Sequence, residues 1–314
     1  MRKILFIVNP ASAGGRTLER WQEVIPKLEA AELDYDVKLT ETRDCGIAFA
    51  KEAALTQAYD TVVSVGGDGT ANEVINGLLQ SGLQQDMLPI FTIFPSGTGS
   101  DSVRTLGIPK NLEGFVQMLK LNPPQLVDIG VVQFSTVDGM QGRRYFLNAC
   151  DVGIGATVAN AVNEANQADR ERTKKGGKAK YFRSIIEQVF KFKAFDATYA
   201  AGGKTYEIKK TVIIAICNGM FFGGGVKISP VSKMDDGVLE LFATTRVSKP
   251  GLIKLVSKVY RGSHIDHAQV LFQREACFQI KLAKPQLLET DGEVQGVVTS
   301  AEFSLIPQTL KVLC

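Results

Sequence analysis

Apolar positions in the first third of the chain fall into two alternating textures. KILFIV (3–8), DTVVSV (60–65) and LPIFTIF (88–94) are continuous β-rich runs, the pattern of parallel strands covered on both faces. Between them, RTLERWQEVIPKLEAA (16–31), CGIAFAKEAALT (45–56) and TANEVINGLLQ (70–80) follow helical periodicity, YDVKL (35–39) is a further strand run, and a short helical stretch follows Asp101. Four such strand-to-helix units predict an open, mostly parallel sheet with right-handed crossovers. Ligands of such sheets bind beyond the carboxyl ends of the strands.

Around Asp128 the texture changes. LVDIGVVQF, RRYFLNAC, FDATYAAG, KTYEIKKTVIIAICNG, GVLELFATTRV, CFQIKLAK and VTSAEFSLIP are β-rich and separated by Gly, Pro and Asp-Gly turns, which predicts a second domain built as a β-sandwich. A helical insertion runs through ATVANAVNEANQADRERTKKGGKAKYFRSIIEQVFKFKAF, with Gly176-Gly177 at its middle, and KPGLIKLVSKVYRG predicts a short helix. The expected division is an α/β domain over 1–128, rejoined by the last segment from about 305 to 314, and a β domain over 129–304.

Composition narrows the classes. The 314 residues are 45% hydrophobic, enough for ordinary cores, and 36 Lys and Arg against 33 Asp and Glu leave a charge of +3, which gives no reason to expect nucleic acid. Five widely spaced cysteines without a C-x-x-C pair read as buried thiols of a reducing cytosol. The apolar run before Asn9-Pro10 is too short for a signal sequence, and no segment reaches the roughly 18 apolar residues of a membrane span.

Three loops carry candidate chemistry: NPASAGG (9–15), GGDGT (66–70) and PSGTGSD (95–101), each following a predicted parallel strand. Their small residues let backbone N–H groups and hydroxyls face an anion, helped by the helix expected to start near Thr70. Asp68 would repel a phosphate unless a cation lay between them, so this loop asks for Mg²⁺. Taken singly, the loop also fits a plain helix start, with Thr70 as N-cap and Glu73 completing a capping box. Neither a G-x-x-x-x-G-K-[ST] loop nor a G-x-G-x-x-G turn after the first strand is present.

The ordered set of these loops, with VDIG (127–130), FLNACDVGIGATV (146–158), GGGVKISPVSKMDDGVLEL (223–241) and LETDGE (288–293), resembles the diacylglycerol kinase catalytic family, in particular its soluble bacterial lipid kinases. The resemblance implies a Rossmann-like α/β domain of the NAD kinase and diacylglycerol kinase type, followed by a C-terminal β-sandwich. It implies an ATP site lined by Asn9, Pro10, Ala11, Ser12, Ala13, Thr42, Gly66, Gly67, Asp68, Gly69, Thr70, Ala71, Asn72 and Thr98. Asp68 would organise the catalytic Mg²⁺, with Asp101 and Asp128 in its network, and Glu293 would be the general base, although Asp68 could exchange roles with it. Asp236 with the carbonyls of Lys233 and Val238 would hold a structural Mg²⁺. Relatives commonly have Asn where this chain has Ser100, whose shorter side chain reaches less far.

What the resemblance implies about activity is transfer of phosphate from ATP to the hydroxyl of diacylglycerol, giving phosphatidic acid for phospholipid synthesis. An NAD kinase, or a kinase of a sphingoid base, ceramide, an undecaprenol-like alcohol or phosphatidylglycerol, is the alternative. The expected setting is cytoplasmic, with transient docking at the inner membrane surface and room for a homodimer. The basic stretch RERTKKGGKAKYFR (170–183), beside Ile185, Ile186, Val189, Phe190 and Phe192, is the expected docking element. His264 and His267 in SHIDH read as surface residues rather than metal ligands.

Overall fold

The computed structural model describes residues 2–97, 99–171 and 191–314. Four parallel strands, β1 (Lys3–Val8), β2 (Asp34–Leu39), β3 (Thr61–Gly66) and β4 (Ile90–Pro95), lie in the order β2-β1-β3-β4. Helices α1 (Arg16–Ala30), α2 (Cys45–Thr56), α3 (Asp68–Leu79), α4 (Asp101–Leu106) and α5 (Leu112–Leu121) follow the strands. β1 and β3 are fully buried apart from Lys3, as their unbroken apolar runs require. The strand order reverses at β1, since the chain steps from β1 outward to β2 and then returns to β1's other side as β3. Ligand crevices of open α/β sheets form at such a reversal, and here the loops after β1 and β3 lie there.

The remaining strands are β5 (Gln125–Thr136), β6 (Gln141–Phe146), β7 (Ala149–Gly153), β8 (Phe195–Ala201), β9 (Lys204–Thr211), β10 (Ile213–Cys217), β11 (Leu239–Thr244), β12 (Val270–Glu275), β13 (Cys277–Thr290) and β14 (Glu293–Val312). Apart from one parallel contact they pair antiparallel, and their inward residues form the sandwich core around Phe146, Phe278 and Phe303. Helix α6 (Ile154–Glu171) follows β7, and α7 (Lys249–Arg261) follows β11.

One strand joins the two regions. β14 pairs with β5 along most of its length, then meets β4 in parallel at Val312 and Phe91, with Leu313 N–H donating to the Phe91 carbonyl. β5 is unbroken through Asp128, so the two layers share one hydrogen-bonded sheet.

Two sequence expectations are corrected here. His264 is fully buried, its Nε2 2.9 Å from the Ile228 carbonyl oxygen and its ring edge-on to Phe242, because the loop after α7 folds inward. Of the cysteines only Cys150 and Cys217 are buried; Cys45 and Cys314 are half-buried and Cys277 is exposed at the start of β13. The basic stretch 170–183 lies outside the described residues beyond 171.

Candidate active site

The three small-residue loops meet at the carboxyl edge of the parallel sheet, tied by their own hydroxyls. Asn9 Nδ2 donates to Thr70 Oγ1 at 3.1 Å, joining the first loop to the second. Ser12, Thr17 and Ser96 form a hydroxyl chain ending on the Gly66 carbonyl, which adds the third. Gly97 packs against the backbone of the GGDGT loop so closely that a β-carbon on it would lie 2.5 Å from the Gly67 Cα. Ala13, Gly14 and Gly15 all have positive φ, the backbone shape of an anion-binding turn. Thr42 is exposed in the loop between β2 and α2, its hydroxyl 3.0 Å from Cys45 Sγ, and Thr98 lies outside the described residues.

Helix α3 begins at Asp68 rather than near Thr70. Glu73 does not complete a capping box with Thr70: its carboxylate accepts from the N–H groups of Asp44 and Gly46, so it caps the neighbouring helix α2. Burial holds its carboxyl above the ordinary range. Asp68 likewise reaches another helix, accepting at 3.1 Å from both Asp101 N–H and Ser102 N–H at the start of α4. Asp101 binds Arg104 at 2.7 Å and accepts from Gly224 N–H of the β region, with burial its largest influence, raising its pKa, and Asp68 pushing it the same way.

Asp128 does not join this pair. It is fully buried, with its carboxylate accepting from Gly237 N–H and Gln308 N–H at 2.7 Å each, and it anchors the Asp235-Asp236-Gly237 turn to β14. Asn72 and Ala71 are buried too, and the Asn72 amide donates to the Tyr145 carbonyl and to Asp291, away from the loop edge.

Glu293 arrives from the opposite side. Asp291-Gly292 is the two-residue turn between β13 and β14, both residues at positive φ, as such a hairpin requires. The Asp291 carboxylate accepts from the N–H groups of Leu147, Asn148 and Ala149 and from Asn72 Nδ2, which fixes the turn against α3. Glu293 therefore lies directly over the GGDGT loop: a β-carbon at Gly69 would sit 2.3 Å from Glu293 Oε1. Its carboxyl is raised above the ordinary range, chiefly by burial, against the pull of Arg43 at 3.7 Å. Sequence reasoning missed Arg43 and Arg104, which belong to no motif, and gave no role to Asp291 of LETDGE or Gly224 of GGGVKISPVSKMDDGVLEL, whose partners lie far away in the chain.

From this polar edge a cavity of about 860 Å³ runs into the β region. Asp68, Gly69, Asp101 and Glu293 stand at one end; further along, α6 and α7 give Val158, Val162, Leu255 and Val259, and the sheet gives Ile213 and Phe242. At the polar end the Asp68 carboxylate, which accepts from the Asp101 and Ser102 N–H groups, fits a Mg²⁺ that keeps water and substrate phosphates as ligands, because such an ion needs only one or two carboxylates, whereas the Asp101 carboxylate is taken up by Arg104 and Gly224 N–H. At the second expected metal position Asp236 already pairs with Arg274 at 2.6 Å, and its other oxygen faces Val238 N–H. That donor set fits a divalent ion poorly, and no role is derived from one there.

Comparison with known proteins agrees with this architecture. The family profile described as the diacylglycerol kinase catalytic domain matches residues 3–132, and the YegS C-terminal NAD kinase beta sandwich-like domain matches residues 148–314. A diacylglycerol kinase of Staphylococcus haemolyticus is 28% identical over 94% of this chain and 84% of its own. One of Bacillus subtilis is 25% identical over 95% and 92%. The crystal structure of a diacylglycerol kinase from Bacillus anthracis, at 23% identity, covers 99% of this chain and 96% of its own with a TM-score of 0.69, which bears on the fold. With both halves of its architecture matched and the loops of its α/β edge assembled around Asp68, the chain belongs to the diacylglycerol kinase catalytic family.

Proposed function

We propose that the protein transfers the γ-phosphoryl group of ATP to the hydroxyl of a membrane lipid alcohol, with diacylglycerol as acceptor and phosphatidic acid as product. The observation that carries this reading is the apolar cavity opening on Asp68 and Glu293: acyl chains fit its aliphatic walls, and a glycerol hydroxyl then lies at its polar mouth.

The loops after β1, β3 and β4 bind the triphosphate through backbone N–H groups and hydroxyls. Asp68 would hold Mg²⁺, which when bound would supply neutralisation of the phosphate charge. The lipid hydroxyl oxygen forms the new bond to the γ-phosphorus as the bond to the β-phosphate oxygen breaks, ADP leaves, and Glu293 accepts the hydroxyl proton. A carboxylate raised by burial is better matched to that task near neutral pH than an ordinary one.

The rim of the same cavity supports docking at an anionic bilayer. Val256 and Tyr260 of α7 line it yet are exposed, and the helix carries Lys254, Lys258 and Arg261 with no acidic residue. An apolar ridge beside a basic face suits a negatively charged membrane surface. No helix among the described residues is long and apolar enough to cross a membrane.

The deciding experiment incubates pure protein with labelled ATP and a total lipid extract, then identifies the labelled product, with NAD offered in a parallel reaction. Labelled phosphatidic acid is the expected result. Label on NAD, or on another lipid alone, overturns the acceptor assignment.

A further inference from the structure

Beneath the Asp291-Gly292 turn, where Glu289 adjoins the polar end of the cavity, two carboxyl groups are paired across neighbouring strands. Glu289 of β13 stands directly opposite Asp151 of β7 in the antiparallel register, and both are essentially inaccessible to solvent. Asp151 Oδ1 and Glu289 Oε1 are both buried without a hydrogen-bond partner among the described residues, so on these register-paired side chains a proton held between the two carboxyl groups is what satisfies both. Two carboxylates cannot bond unless one carries a proton, and two bare charges in apolar surroundings repel strongly.

The surroundings say where the proton sits. Asp151 Oδ2 accepts from the Ala156 N–H at 3.2 Å at the start of α6, where the helix end favours negative charge. A β-carbon at Gly155 would lie 2.6 Å from that oxygen, so the carboxylate is seated tightly on the helix. Glu289 has only Gly292 N–H to stabilise charge, on its other oxygen. The proton therefore belongs to Glu289, donated to Asp151. The other titratable groups on the same face of the sheet are Asp291 from the turn, Cys217 from β10 and, beyond it, Glu240 from β11; Cys150 points to the opposite face.

We infer that Glu289 and Asp151 are positioning residues: by sharing one proton they keep Glu289 on Gly292 N–H, hold the turn closed and so aim Glu293 at the acceptor hydroxyl. This rests on the reading of Glu293 as the base. Burial pushes Asp151 up to about 7 and Glu289 well above its ordinary value. Loss of the shared proton in alkali places two negative charges side by side, pushes Glu289 off Asp151 and releases the turn.

The sign follows from the raised values. Groups that hold protons more tightly when folded stabilise the fold in acid and lose that contribution as pH rises through their folded pKa. Glu289→Gln provides the test, because an amide can donate to Asp151 and accept from Gly292 N–H with no proton to lose. Wild-type kcat is expected to fall roughly tenfold as pH rises through the alkaline limb on which the pair gives up its shared proton, Glu289→Ala to be slow throughout, and Glu289→Gln to recover most of the lost rate with a flat alkaline limb. Asp151→Asn provides a second variant should Glu289→Gln not fold. Amide exchange at Gly292 is read without turnover: once corrected for intrinsic exchange, protection should fall with pH in the wild type and stay level in Glu289→Gln. Equal pH dependence of exchange in both overturns the latch. Level protection in Glu289→Gln together with turnover indifferent to Glu293→Ala overturns the base reading alone.

Discussion

At the scale of single residues, Gly69 is the sharpest point of the site. It lies in the first turn of α3 with ordinary helical backbone, so alanine there suits the helix and by propensity alone would add up to about 1 kcal/mol. Its methyl group, however, would occupy the place of Glu293 Oε1. Gly69→Ala is therefore expected to leave the thermal midpoint unchanged or higher while lowering kcat roughly 100-fold, the cost of misplacing a catalytic group by about 1 Å. Parent-level turnover in that variant would show that Glu293 has no need of its position. Glu293→Ala itself should reduce kcat by about 10² to 10⁴, the range for a lost general base. Because burial raises the Glu293 carboxyl, the acid limb of the pH–rate profile should lie above the pH of an ordinary glutamate.

Between elements, the important contacts cross from the β region to the α/β edge and involve few residues. Asp291 gathers N–H groups of Leu147, Asn148 and Ala149 and the Asn72 amide onto one buried carboxylate. Removing it strands several buried donors at about 1–3 kcal/mol each, so Asp291→Ala should lose roughly 3 kcal/mol or more, read from the urea midpoint. Sequence alone made the two-residue Asp-Gly turn legible, as a hairpin. It could not reveal that the turn's aspartate caps nothing local and binds a helix from the first third of the chain. The same limit misdirected the reading of Glu73: its spacing from Thr70 suits a capping box, but α2 lies close enough to take its carboxylate.

The whole molecule combines a polar loop edge, an apolar cavity and a basic helix at that cavity's rim. Lys254 and Lys258 lie four residues apart on α7, on the exposed side. Each basic residue near an anionic surface contributes about 1 kcal/mol, so Lys254→Gln with Lys258→Gln should weaken cosedimentation with phosphatidylglycerol vesicles roughly 30-fold. Vesicle binding that ignores both changes would remove α7 from the docking surface.

The sequence by itself determined the alternation of strand and helix, the β-rich second half and the three small-residue loops, because each rests on local periodicity or on residue types with a strong backbone preference. The ordered motifs likewise pointed to the family. Tertiary structure alone decided which acidic residues work together. It joined Asp68 to Asp101 and brought Glu293 over Gly69, and it sent Asp128 to the Asp236 turn and paired Asp236 with Arg274. It also made β14 a strand common to both regions, hid His264 and opened the apolar cavity between α6 and α7. The physical reason is the same in each case. A carboxylate's partners and a valine's neighbours are set by packing between segments far apart in the chain, whereas periodicity records only which face of its own element a residue occupies.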